Sequence, residues 1–181
     1  MEKIILTKKQ KSLIKELDDI FSMFDLDYKN VKDVKKEFRT AYLQIVKDQI
    51  VRSQIIIFYT LIDEFLNVRL CNYFFGNKRS FIELWKTKKF QNFNYHILEE
   101  LSLLQKLRFV KATMKIPKGI VNDIERFNSL RNGIAHAFFP ENLKKSKPVW
   151  KGKNVFTLEG LEILIQDMEK MRKFFFKYLS N

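Results

Sequence analysis

At 181 residues with 46% hydrophobic side chains, the chain is long enough to enclose a core, which excludes a disordered polypeptide. One cysteine, Cys71, and two histidines exclude a disulfide framework and a structural zinc site and fit a reducing cytoplasm. The net charge of +13 points to a polyanion or an anionic membrane surface, the plainer reading being a lysine-rich composition that maintains solubility.

One domain, residues 1–181, is expected from the length. No secretory leader is expected, because Met1 to Gln10 has only a short apolar patch followed at once by Lys8 and Lys9. Thr7 to Phe24 reads as a first helix, opened by a Thr7/Gln10 capping box and buried through Leu13, Leu17, Ile20, Phe21 and Phe24. A loop follows from Asp25 to Asn30. From Val31 to Phe75 neither proline nor glycine interrupts a helical pattern. A straight helix of that length would reach about 68 Å, so a bend or a break is expected near Lys47 to Gln49.

Ser53 to Ile62 carries no charge on any side and is expected to be surrounded by other elements; it is too short to span a bilayer. Asp63 and Glu64 come next, as counter-ions for a buried cation or as an ordinary surface pair. Gly76 marks a turn, and Ser80 with Glu83 opens a short helix through Trp85. Lys86, Lys88 and Lys89 then lie among Trp85, Phe90, Phe93 and Tyr95, a pattern that suits base stacking or, more plainly, anchors a loop on the core. His96 reads as structural, since no partner of recognisable spacing accompanies it. Tyr95 to Val110 is expected to be one helix with Ile97, Leu98, Leu101, Leu104 and Leu107 inward, while Lys106, Arg108, Lys111 and Lys115 extend the basic surface.

Ile116 to Pro140 reads as a helix opened by Pro117 and closed by Pro140. At about 100° per residue, Ile120, Ile124, Phe127, Ile134 and Phe138 fall within roughly 40° of one line, and Arg131 falls on it too. A guanidinium there must meet a carboxylate, a phosphate or a wet cleft. Glu64 is the preferred carboxylate, with Asp63 the other candidate. Asn128, Asn132 and His136 form a polar row at i, i+4 and i+8 on the flank, and Gly133 between them suggests close approach of a backbone or a ligand.

Pro140 to Phe156 looks irregular, with Lys144, Lys145, Lys147, Lys151 and Lys153 placed to hold a nucleic-acid backbone over the motif or to form a solvated charge run. Val149-Trp150 and Val155-Phe156 around Lys151-Gly152 suggest a small hairpin. Thr157 then caps a last helix with Glu159 and Glu162 early, Lys170, Arg172, Lys173 and Lys177 late, and Leu161, Leu164, Ile165, Met168, Met171 and Phe175 packed down.

The run Arg131-Asn132-Gly133-Ile134-Ala135-His136 resembles the signature of the HEPN superfamily, an Arg usually followed by a polar residue such as Asn, then His after four to six intervening residues. The resemblance implies an all-α antiparallel bundle of about five to six helices, here with a small hairpin near 149–156. It implies a homodimer in which two Arg/His motifs face each other across one cleft. Many such proteins are metal-independent endoribonucleases of toxin–antitoxin or antiviral defence systems. They often place an acidic residue on the helix packed against the motif. The implied roles are proton transfer for His136, charge stabilisation for Arg131 and orientation for Asn132, with Glu64, Asp63, Asn128 and Gly133 in support. RNA is the implied partner, with an antitoxin or regulator besides, no cofactor, no metal and no membrane. Phe138 stands where members modified by a nucleotidyltransferase look to carry Tyr, so that modification is not implied. Two other readings stay open: a bundle that binds RNA or nucleotides without cutting them, and a helical interaction protein whose Gly133 face is a partner seam.

Overall fold

The computed structural model describes residues 33–76, 81–135 and 148–179. The expected helix Thr7 to Phe24, the loop Asp25 to Asn30 and the Ser80 cap lie outside them. The chain divides into two compact units, 1–48 and 49–181. In the first, a 3₁₀ turn at Lys36–Phe38 leads into a helix, and Arg39 Nε donates to the Val34 carbonyl at 2.9 Å.

The architecture is all-α, with six α-helices among the described residues: α1 (Arg39–Phe75), α2 (Phe81–Trp85), α3 (Lys88–Phe93), α4 (Leu103–Thr113), α5 (Lys118–Ala135) and α6 (Leu158–Leu179). The expected break near Lys47 to Gln49 is absent, since nothing there removes an i→i−4 hydrogen bond, although the boundary between the two units falls after Asp48. α1 ends where Gly76, at φ +76°, adopts the left-handed conformation and donates to the Asn72 carbonyl at 2.9 Å.

The helix expected over Tyr95 to Val110 is instead two elements. A π-helical turn at Asn94–Leu98 ends near Glu99, and α4 starts afresh at Ser102. Ser102 and Gln105 form a capping box, in which the serine takes the Gln105 N–H while the glutamine side chain accepts from the Ser102 N–H at 2.9 Å. Ile97 is consequently exposed rather than inward, and Leu103 and Val110 enter the core.

One hydrophobic core runs through the second unit. Ile55, Ile62, Leu66 and Leu70 of α1 meet Leu107 of α4, Ile124, Phe127 and Ile134 of α5, and Leu164 and Met168 of α6. Phe65 stacks on Phe175 with centroids 5.2 Å apart, and Phe127 meets Trp150 edge-on at 6.2 Å. The hairpin is real but shorter than expected: Val149–Trp150 (β1) pairs antiparallel with Lys153–Asn154 (β2), leaving Val155 in the core and Phe156 beyond the strand. Its turn is Lys151-Gly152 as expected, with φ of 45° and 85°, the mirror-image two-residue turn that matches strand twist. Thr157 caps α6, its Oγ1 accepting from the Gly160 N–H at 3.2 Å.

Candidate functional site

α5 carries the motif as far as Ala135; His136 and the expected continuation to Pro140 lie outside the described residues. The start of α5 is fixed by Pro117, whose carbonyl accepts from the Val121 N–H at 3.2 Å. Its buried face is Val121, Ile124, Phe127, Leu130 and Ile134. By helical angle Arg131 lies near the middle of that face, as expected.

Its partner differs from expectation. The Arg131 guanidinium lies 4.6 Å from the centroid of the Tyr59 ring on α1. One of its terminal nitrogens donates to Asn132 Oδ1 at 3.1 Å, while its Nε is buried without a hydrogen-bond partner among the described residues. Neither carboxylate of α1 pairs with it among the described residues. Asp63 is held by Lys106 of α4, whose ammonium reaches both carboxylate oxygens at 2.7 and 2.9 Å. Glu64 is exposed, one residue and about 100° further round α1, on the wall of a separate cavity with Cys71 and Trp85. Burial, and secondarily Glu64, pushes the Cys71 thiol up to about 11, so it stays protonated and unreactive.

The Tyr59 hydroxyl is shifted upward, first by burial and then by Asp63, against the pull of Arg131, and so it remains neutral beside the cation. A ring face under a part-buried guanidinium stabilises it by about 1 kcal/mol, far short of the cost of stranding a charge. Arg52, just before the uncharged run of α1, donates to the Ile134 carbonyl at 2.9 Å and lies 5.8 Å from the Phe156 ring centroid. It thus ties the last turn of α5, two residues before His136, to α1, as a cation at a helix C-terminus favours.

Of the flanking residues, Asn128 and Asn132 are half-buried, and Gly133 lines an open cleft of about 510 Å³ between α5 and the hairpin. Arg126, Ser129 and Lys151 share its wall. Lys144, Lys145 and Lys147 lie outside the described residues. The other two lysines expected to hold RNA are already engaged, Lys151 with Asp167 at 2.6 Å and Lys153 with Glu159 at 2.6 Å.

Tyr59, Arg52 and Asp167 escaped the sequence reading. An aromatic pair, Phe58-Tyr59, inside the isoleucine-rich run was the available signal for the first, since a ring offers a cation a face that isoleucine lacks. Among the described residues no group of carboxylates, cysteines and histidines is placed to hold a metal, and no helix is long and apolar enough to cross a membrane. Comparison of the chain with family models, with curated proteins and with solved structures gave no match.

Proposed function

We propose that the chain is an endoribonuclease of the HEPN type, cutting single-stranded or loop RNA at Arg131 and His136. The observation that carries this reading is the state of Arg131. Its guanidinium sits on the buried face of α5, over the Tyr59 ring and hydrogen-bonded to Asn132, with Nε unsatisfied and no carboxylate meeting it among the described residues. A phosphate supplies what is missing, because two of its oxygens match the guanidinium fork.

In this reading the chemistry runs on protein groups alone. The 2′-hydroxyl of one nucleotide attacks the adjacent phosphorus while an imidazole takes its proton. The P–O5′ bond breaks, and the departing 5′ oxygen takes a proton from a second imidazole. The products are a 2′,3′-cyclic phosphate and a 5′-hydroxyl. An imidazole titrating near pH 6.5 serves both steps at cellular pH. Arg131 neutralises the charge that builds on the non-bridging oxygens, and its fixed orientation lowers the reorganisation needed at that moment. Two imidazoles are available if two copies pair across the motif, so the active form in this reading is a homodimer.

The test is incubation of wild-type and His136→Ala protein with end-labelled RNA in EDTA, mapping product ends on a gel. Cleavage by the wild type alone, leaving 2′,3′-cyclic phosphate ends, is the expected result. Intact RNA with both, under conditions where the dimer is confirmed by sedimentation, would leave a binding module in place of the enzyme. Equal cleavage by both would remove His136 from the chemistry.

A further inference from the structure

We infer that the corner made by the end of α1, α3 and the π-helical turn binds single-stranded RNA, taking one nucleobase into an aromatic pocket. A cavity of about 410 Å³ opens there, walled by Phe74 and Phe75 of α1, Phe93 of α3 and Ile97 of the turn. The ring centroids of Phe74 and Phe75 each lie 5.2 Å from that of Phe93, at interplanar angles of 55° and 68°. Two rings are thus braced by a third, and Phe74 keeps 53% of its surface open to a further ring.

The polar groups on the wall suit the edge of a base. Asn92 offers an amide donor and acceptor, and His96 offers one of each when neutral; both are exposed. His96 and Ile97 reach the cavity from the π-helical turn, a backbone form that is rare and concentrated at functional sites.

Charge selects the occupant. Lys89 stands at the rim, its ammonium 5.8 Å from the Phe75 centroid, and Lys86 and Lys88 are its near neighbours in sequence. All three are exposed, and among the described residues none has a carboxylate partner. An apolar protein segment would gain nothing from a cation at the rim, whereas a strand of phosphates releases its counterions to Lys89 and the lysines that precede it. A duplex keeps its bases stacked, so the strand must be single. This deepens the ribonuclease reading by giving the substrate a second hold, but its test reads binding rather than cleavage.

The experiment is fluorescence anisotropy of the full-length protein with labelled 2′-O-methyl oligouridylate, which has no 2′-hydroxyl to attack, against an abasic strand with the same number of phosphates. The base-bearing strand is expected to bind about tenfold tighter. Phe74→Ala and His96→Ala should each erase most of that preference while leaving affinity for the abasic strand unchanged. Equal binding of both strands by the wild type would overturn the pocket, as would a preference that survives both substitutions. Should Phe74→Ala fail to fold by circular dichroism, exposed His96 still decides. A base preference without cleavage of ordinary RNA would sink the ribonuclease and keep the pocket; cleavage without a base preference would do the reverse.

Discussion

Asp167 on α6 and Arg131 on α5 are both charges set against the core, and their surroundings treat them in opposite ways. Asp167, only 3% exposed, accepts from the Trp150 indole N–H at 2.9 Å and from Lys170 at 3.0 Å, and pairs with Lys151 at 2.6 Å. Trp150 and Lys151 join the hairpin to the last helix, and Lys170 braces the carboxylate from within that helix. Arg131 has a ring face, one neighbouring amide and an orphaned Nε. Burial of a charge therefore does not by itself mark a site: the saturated carboxylate closes a structural joint, and the under-satisfied cation keeps its capacity for a ligand.

The sharpest way to break this contrast is to remove each charge in turn. Arg131→Met is expected to slow RNA cleavage by about 10²- to 10³-fold in the gel assay, the usual cost of losing a group that stabilises developing charge. Its thermal midpoint should hold or rise, because an apolar chain of similar length eliminates the orphaned donor. A variant that melts far lower yet cleaves normally would make Arg131 the structural charge. Asp167→Ala should do the opposite, losing about 2 kcal/mol in urea unfolding because it leaves the buried Trp150 N–H without its acceptor, with cleavage per folded molecule unchanged.

The same carboxylate gives a pH signature. Burial alone would raise its pKa, but the hydrogen bonds from Lys151, Trp150 and Lys170 prevail and hold it down at about 2, below the ordinary 3.8. A depressed folded-state pKa stabilises above the unfolded value, so the contribution, about 2 kcal/mol, is complete above roughly pH 5 and lost as pH falls toward 2. Urea midpoints of wild type and Asp167→Asn should converge in that acid range. Parallel curves down to pH 2 would mean that the three donors do not hold the charge.

The joint has a steric side as well. A Cβ on Gly160 would run into the carbonyl oxygen of Asn154, so the first turn of α6 and the second strand can approach only with glycine there. Gly160→Ala is expected to cost about 2 kcal/mol by the same unfolding measurement, since backbone on both sides must shift.

These two regions were unequally legible. The Lys151-Gly152 turn, the Thr157 cap and the place of Arg131 on its stripe depend on neighbours in sequence, and local rules find them. The Ser102/Gln105 box was equally local, but an unbroken row of leucines masked it. The partner of Arg131 was not legible, because it depends on the rotation of α1: Tyr59 and Asp63 share a face at i and i+4, and Lys106 from a third helix takes Asp63. Asp167 had no sequence signal at all. Between Gln166 and Met168 it reads as a surface residue, and only the returning hairpin sets an indole N–H and a lysine against it.

The smallest expected effect separates lysines that hold the fold from lysines free to hold RNA. Lys153 pairs with Glu159 at 2.6 Å, both side chains being about half exposed or more, so Lys153→Ala should change stability by less than about 0.5 kcal/mol. Its charge is already answered, which means a phosphate would have to displace a carboxylate to gain it. The salt dependence of RNA affinity should therefore be unchanged, whereas losing a lysine that contacts phosphate lowers that slope by about 0.7 on a single strand. A fall of that size in Lys153→Ala would show that RNA outcompetes Glu159 and would return the hairpin to the binding surface, beside the motif rather than at the far end of α1.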